Sequence, residues 1–265
     1  MIVPENDTDY LDESGVLHCG VCGKRKQLSF QLMGKEHVVN CLCECQSKEL
    51  REKEEAFRRE EAQRDLLRRK TVGLTDRRFW DWKFENDDGS NEKMSVAHKY
   101  VDNWKEMKKN NVGLLLIGPV GTGKSFLAGC IANALLEQGE RIVMTNFSKI
   151  LNEMMNYHAD KNKIIQNLVE YPLLIIDDLG IEHHSEFALE QIYNVIDSRY
   201  RQMKPLIVTT NLSMKEMKST EQEMCYQRIY SRIFEMCVPV YCAGLDKRKI
   251  EGAEKLAKIQ SLLNS

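Results

Sequence analysis

The sequence predicts an α/β fold, a parallel five-stranded sheet with helices on both faces, preceded by a small cysteine-rich module and a charged helix. Three observations predict it. Short apolar runs alternate with helical patterns from residue 72 onward. A glycine-rich GPVGTGKS stretch sits at the first strand-to-helix junction. Five of the nine cysteines crowd between Cys19 and Cys45.

Composition bounds the reading. Of 265 residues, 42% are hydrophobic and 29% charged, which suits a sizeable core and excludes collagen-like or wholly disordered chains. With 38 basic and 40 acidic residues the net charge is −2, so the chain is not a globally basic nucleic-acid coat and any such surface is local. No apolar run approaches the ~20 residues of a membrane span. The leader MIVPENDTDYLDES is acidic and lacks an apolar secretory core, so a cytoplasmic protein without membrane contact is expected.

Residues 1–47 form the first expected module. Cys19-x2-Cys22 is separated by eighteen residues from Cys41-x-Cys43-x-Cys45. In a reducing compartment such clustering points to metal rather than disulfides. Two thiolate pairs joined by a loop fit tetrahedral zinc. Cys19, Cys22, Cys41 and Cys43 are the expected ligands, with Cys45 the alternate and His18 and His37 weaker candidates. Cys130, Cys225, Cys237 and Cys242 lie in apolar surroundings and read as packing residues. Residues 48–71 form the expected linker. Sixteen of the 23 residues from 48 to 70 are charged, without Gly or Pro, and opposite charges recur at helical spacing, predicting a solvated helix.

Residues 72–265 form the third module. Strands are expected near 112–117, 141–145, 173–176, 205–210 and 237–241, all short continuous apolar runs of the kind buried on both faces. Helices are expected at about 124–138, 148–157, 162–170, 185–203 and 222–236. Alternation of the two implies parallel strands.

The first strand runs into Gly118-Pro119-Val120-Gly121-Thr122-Gly123-Lys124-Ser125, followed by Phe126 and a helical pattern. Strand, loop and helix are the context a phosphate-binding loop requires. Glycines let backbone N–H groups curl around phosphate oxygens at a helix N-terminus. Lys124 is placed to reach the β- and γ-phosphates of ATP, and the Ser125 hydroxyl to ligate Mg2+. The third strand ends in Asp177 and Asp178, at the tip where ligands bind in such sheets. Asp177 is expected to hold Mg2+ and Asp178 to position or deprotonate the attacking water, with Glu182 as a substitute. Adjacent strand residues point opposite ways, so one residue cannot do both jobs. The fourth strand ends in Thr209, Thr210 and Asn211, and Asn211 can orient the water or sense the γ-phosphate.

GPVGTGKS, IIDDLGIE, IDSRY, IVTTNL, RIYSRI and GLDKR occur in this order. Together they resemble the AAA+ ATPases of the DnaC-type helicase loader family, which includes DnaI-type loaders, phage loaders and IstB-type transposition ATPases. The resemblance covers about residues 72–250. It implies sheet order 5-1-4-3-2, with Lys124 and Ser125 matching Walker A, Asp177 and Asp178 Walker B, and Asn211 sensor 1. It implies an arginine finger on the helix bearing Arg228 and Arg232, with Arg232 favoured for self-association. Arg248 matches sensor 2, and Arg199 is a further candidate to face a neighbour. In this family a segment like 71–84 packs near the base, so Phe79, Trp80 and Phe84 are candidates for contact with adenine, beside plain core packing. The implied function is an ATP-switched loader that binds a DnaB-type replicative helicase and single-stranded DNA. The alternative is an IstB-type transposition helper. A small-molecule kinase is disfavoured by Asn211 and Arg232, and a vestigial adaptor by the intact Lys124, Ser125 and Asp177.

Overall fold

The structure is a computed structural model. It describes residues 8–89, 91–180, 185–219 and 223–244, and seven positions between 246 and 260. The chain divides into two compact units, Met1–Asp65 and Leu66–Ser265.

The first unit is built from two hairpins. Strands β1 (Tyr10–Leu11) and β2 (Leu17–His18) pair antiparallel, as do β3 (Gln27–Leu32) and β4 (Lys35–Asn40). The second hairpin turns at Met33 and Gly34, both with positive φ (50° and 74°), as a tight two-residue turn demands. A Lys26–Asp9 ion pair is buried inside this unit, Nζ to Oδ2 at 2.5 Å. So small a unit has few apolar residues to bury, and the sequence pattern gave no warning of these hairpins. Helix α1 (Glu44–Gly73) starts here and ends in the second unit. Residues 48–65 of α1 are exposed on every face, and i,i+4 pairs such as Lys53–Glu49 (2.6 Å) support them.

The second unit carries helices α2 (Met94–Asp102) and α3 (Trp104–Lys109), then strand β5 (Gly113–Ile117) and helix α4 (Lys124–Glu137). Strand β6 (Ile142–Thr145) leads to α5 (Phe147–Met154) and α6 (Lys161–Glu170). Strand β7 (Leu173–Leu179), α7 (Glu186–Arg201), β8 (Leu206–Thr210), α8 (Met214–Met217), α9 (Met224–Met236) and β9 (Cys237–Tyr241) follow. The five core strands are all parallel, in the order β6-β7-β8-β5-β9. Counted from β5 as the first, that is the expected 5-1-4-3-2.

Period-two alternation divides the core. Leu114 and Leu116 face the cluster around Leu127, Ile131, Leu135, Tyr100 and Trp104. Leu115 and Ile117 face the opposite cluster around Phe147, Ile165, Ile196 and Ile233. The free edge of β6 is closed by a bridge from Leu74 to Met144, with Thr75 N donating to the Met144 carbonyl. Strands β5, β7 and β8 end side by side, and the candidate site sits at those ends.

Candidate nucleotide site and cysteine cluster

The loop after β5 is shaped by its glycines. Gly121 and Gly123 both have φ +82°, a conformation that side chains rarely adopt. At Gly118 an added Cβ would lie 2.0 Å from the Cys242 carbonyl oxygen. The loop is tied to β8, because Gly118 N donates to the Thr210 carbonyl (3.4 Å). It is tied to itself, because Thr122 Oγ1 donates to Pro119 O (2.9 Å).

Lys124 opens α4 and is 5% exposed. Its Nζ donates to Gly118 O (2.7 Å), Pro119 O (2.8 Å) and Asn211 Oδ1 (2.9 Å). The loop lysine and the amide at the tip of β8 thus meet across 87 residues of sequence. Asp177, also buried, accepts from Thr209 Oγ1 at 2.7 Å. Thr209 Oγ1 in turn accepts from Asp178 N at 2.9 Å. Asp178 has φ +58°, and the β7–β8 register slips between Ile176 and Leu179. The strand therefore bulges where the two carboxylates sit. The donor set suits a nucleotide with its metal. A glycine cradle and a loop lysine suit phosphates, while Ser125 and Asp177 are the oxygens that would hold Mg2+.

Two neighbours of this site had no motif to flag them. Asn91 is 7% exposed, and its Nδ2 lies 3.1 Å from where a Cβ on Gly123 would stand. Its Oδ1 accepts from Lys93 N (3.0 Å), and its Nδ2 has no hydrogen-bond partner among the described residues. Arg78 bonds Asp76 at 2.8 Å, and Asp76, then Asp177 and Asp178, hold its pKa above the ordinary value. A cation from the segment before the core thus stands near both carboxylates. In that segment Phe79 is a core residue, tilted against Trp82 at 4.8 Å. Trp80 is half-buried against the core, and Phe84 stacks on His98 at 3.9 Å.

The arginines separate. Arg199 does not face a neighbour. It is fully buried, and its guanidinium donates to the carbonyls of Pro205, Val169, Tyr171 and Pro172. Burial without a carboxylate drops its pKa to about 9. The sequence shows only an arginine near a helix end, whereas the carbonyl cage comes from distant loops. Arg232 is caged within its own chain, ion-paired with Asp197 Oδ1 (2.6 Å), donating to Tyr193 OH (3.0 Å) and lying over the Tyr193 ring at 4.8 Å. Arg228, one turn earlier, is exposed and reaches Met224 Sδ at 3.6 Å. Glu182 and Arg248 lie outside the described residues.

In the first unit, the sulfurs of Cys19, Cys22, Cys43 and Cys45 all lie within 4.8 Å of one another. Cys43–Cys45 is 3.1 Å and Cys19–Cys45 3.6 Å. A tetrahedron of Zn–S bonds of ~2.3 Å has S···S edges of roughly 3.8 Å, so the four thiols fit zinc. Cys41 stands outside the set and the alternate Cys45 inside it. The reason is local. Cys41 N still bonds Lys26 O (2.8 Å), carrying on from the β3–β4 hairpin, and Cys41 is exposed. The chain then turns into α1, whose first turn brings Cys45 back beside Cys19. Backbone N–H groups of Lys24 and Cys45 lower the Cys22 thiol to about 6. His18 instead bonds Asp12 Oδ2 (3.0 Å), and His37 stacks on Phe30 at 5.8 Å. Cys130, Cys237 and Cys242 are buried, and burial pushes the Cys130 thiol up to about 12.

Known proteins share the sequence family and the fold. The family described as IstB-like ATP binding protein matches residues 42–253. The replicative helicase loader DnaC of Escherichia coli (strain K12) is 27% identical over 146 residues, 54% of this chain and 58% of that protein. The chain therefore spans little more than half the length of that relative. An ATP-binding protein in an insertion sequence of Mycobacterium tuberculosis is 30% identical over 100 residues, 37% of this chain and 40% of that protein. The DnaI crystal structure superposes with TM-score 0.58 at 21% identity, covering 68% of this chain and all (100%) of that one. The DnaC helicase loader structure gives TM-score 0.53 at 24% identity, covering 63% and 100%. These likenesses establish the fold. No helix among the described residues is long and apolar enough to cross a membrane.

Proposed function

The chain belongs to the IstB-like ATP-binding protein family and has the AAA+ ATPase fold, and from that premise we propose that it is an ATP-controlled loader of a DnaB-type replicative helicase. The observation that supports the reading is that Lys124, Asn211, Asp177 and Asp178 lie at one sheet end, with Lys124 bonded to Asn211. The DnaC relative supports the choice of helicase loading among the roles this fold serves.

In this reading residues 118–126 bind ATP, with Lys124 moving from the loop carbonyls to the phosphates. Mg2+, when bound, neutralises charge on the phosphate oxygens. Asp177 and Ser125 hold its position, Asp178 orients the water, and Asn211 reports whether the γ-phosphate is present. Turnover is slow and acts as a switch. Subunits self-associate through Arg232, whose guanidinium exchanges Asp197 for a neighbour's triphosphate, and Arg248 senses the nucleotide in cis. The ATP-bound form holds single-stranded DNA and the ADP form releases it. Residues 1–47 are a zinc-binding module that grips the helicase, and residues 48–71 are the helix linking it to the ATPase domain at 72–265. The site of action is the cytoplasm. The test is DNA binding by the full chain, read as anisotropy of a labelled single strand. A non-hydrolysable ATP analogue should tighten binding relative to ADP, and equal binding in both would overturn the switch.

A second reading, an IstB-type transposition helper, is favoured by one observation, the likeness to an insertion-sequence protein. The zinc-type cysteine cluster argues for the loader.

A further inference from the structure

We propose that Thr209 is the positioning residue of the magnesium-holding carboxylate, acting through Asp177 and through the bulge at Asp178. The inference rests on the nucleotide-binding reading above. In the β7–β8 ladder Ile176 pairs with Val208 and the next pair is Leu179 with Thr210, so Asp177 and Asp178 together oppose Thr209 alone. In an unbroken strand these two carboxylates would point to opposite faces. The bulge changes that, and it places Asp178 in the left-handed region (φ +58°), which a non-glycine residue holds only when its surroundings enforce it.

The enforcing group is the Thr209 hydroxyl. Thr209 is fully buried. Its Oγ1 accepts from Asp178 N at 2.9 Å and contacts Asp177 Oδ1 at 2.7 Å. An amide N–H can only donate, and the hydroxyl has one proton, so that proton is committed to Asp177. One oxygen therefore does two jobs. It replaces the ladder carbonyl that the bulge denies to Asp178, and it fixes the rotation of the Asp177 carboxylate with a charge-assisted bond. Groups that orient metal-holding carboxylates in this way typically change metal affinity about 10–100-fold when removed.

Thr209→Val keeps the shape and removes the hydroxyl, whereas Thr209→Ser keeps the hydroxyl. The full chain is titrated with fluorescent ATP, once in Mg2+ and once in EDTA. For Thr209→Val the Mg2+ half-saturation of nucleotide binding should rise about 10–100-fold. Its affinity in EDTA should stay within about twofold, because the glycine cradle and Lys124 are untouched. Thr209→Ser should restore the Mg2+ dependence, and kcat should fall more than KM rises in Thr209→Val. If Thr209→Val melts below the assay temperature, Thr209→Cys, a weaker donor, reads the same shift at smaller amplitude. Wild-type Mg2+ dependence in Thr209→Val, or equal losses with and without Mg2+, overturns the role of Thr209. Failure of the wild type to bind nucleotide in either condition overturns the reading beneath it.

Discussion

Replacing Arg199 by Met should destabilise the second unit without touching nucleotide chemistry. The side chain is fully buried and donates five hydrogen bonds to four carbonyls, those of Val169, Tyr171, Pro172 and Pro205. Methionine fills much of the volume and satisfies none of them. At about 1 kcal/mol for each buried acceptor left unpaired, the loss is about 4 kcal/mol. Removing a buried cation returns part of its desolvation cost, so the net is about 3 kcal/mol. For a domain of this size that is a fall in Tm of about 6–12 °C. The loop ends at Tyr171–Pro172 and at Pro205 would be the first to lose order, because Arg199 is what joins them. Differential scanning fluorimetry of the full chain measures it, with Arg199→Lys expected to fall between. A variant that melts within about 2 °C of wild type, yet loses ATP-dependent self-association, would refute the reasoning and return Arg199 to a subunit interface.

Lys124→Ala should abolish the stabilisation that saturating ATP gives the wild type, about 2.7 kcal/mol at a hundredfold excess over Kd, as read by thermal shift. On the proposed reading, in which Asn211 senses the γ-phosphate, Asn211→Ala should keep that shift but lower kcat about 100-fold. Cys45→Ser should strip the first unit of zinc, whereas Cys41→Ser should retain one zinc per chain, as measured by elemental analysis of purified protein. Asp76 caps its turn and bonds Arg78, which lowers its carboxyl from 3.8 to about 2. A depressed carboxylate stabilises fully above its unfolded value, so this contribution is complete above about pH 4 and drains as the pH falls toward 2. Asp76→Asn should flatten acid unfolding in that window, as followed by circular dichroism.

Strands β5 to β8 were legible because a strand buried on both faces is dominated by apolar residues, as in VGLLLI, LLII and PLIV; β9 departs from that expectation, because as the sheet's edge strand it exposes Val238, Pro239 and Tyr241. Their functional ends were legible for the opposite reason, since Asp177 and Asn211 are polar groups ending apolar runs. The hairpins β1–β4 were not, because strands this short and exposed carry no apolar pattern. Helices α2 and α3 also went unread, hidden in a stretch whose charged and apolar residues mix. The bulge at Asp178 could not be read, because no glycine marks it and its support is a side chain from another strand. Cys41 and Cys45 have the same spacing from Cys43, and only the turn into α1 decides between them. Asn91 reaches the site through packing and Arg78 through its charge, and neither leaves a motif. Arg199 was misread because charge predicts exposure unless a cage of carbonyls, drawn from distant loops, offsets the cost of burial.

The central claim is that the nucleotide switch serves helicase loading. The direct test is affinity capture of the full chain from its own cell lysate with ATP, beside Lys124→Ala and a variant lacking residues 1–47, with mass spectrometry of the retained proteins. The account predicts that the wild type retains a hexameric replicative helicase and that the truncated chain does not. Retention of a transposase in its place, or of no helicase while a small metabolite stimulates ATP turnover, would contradict it.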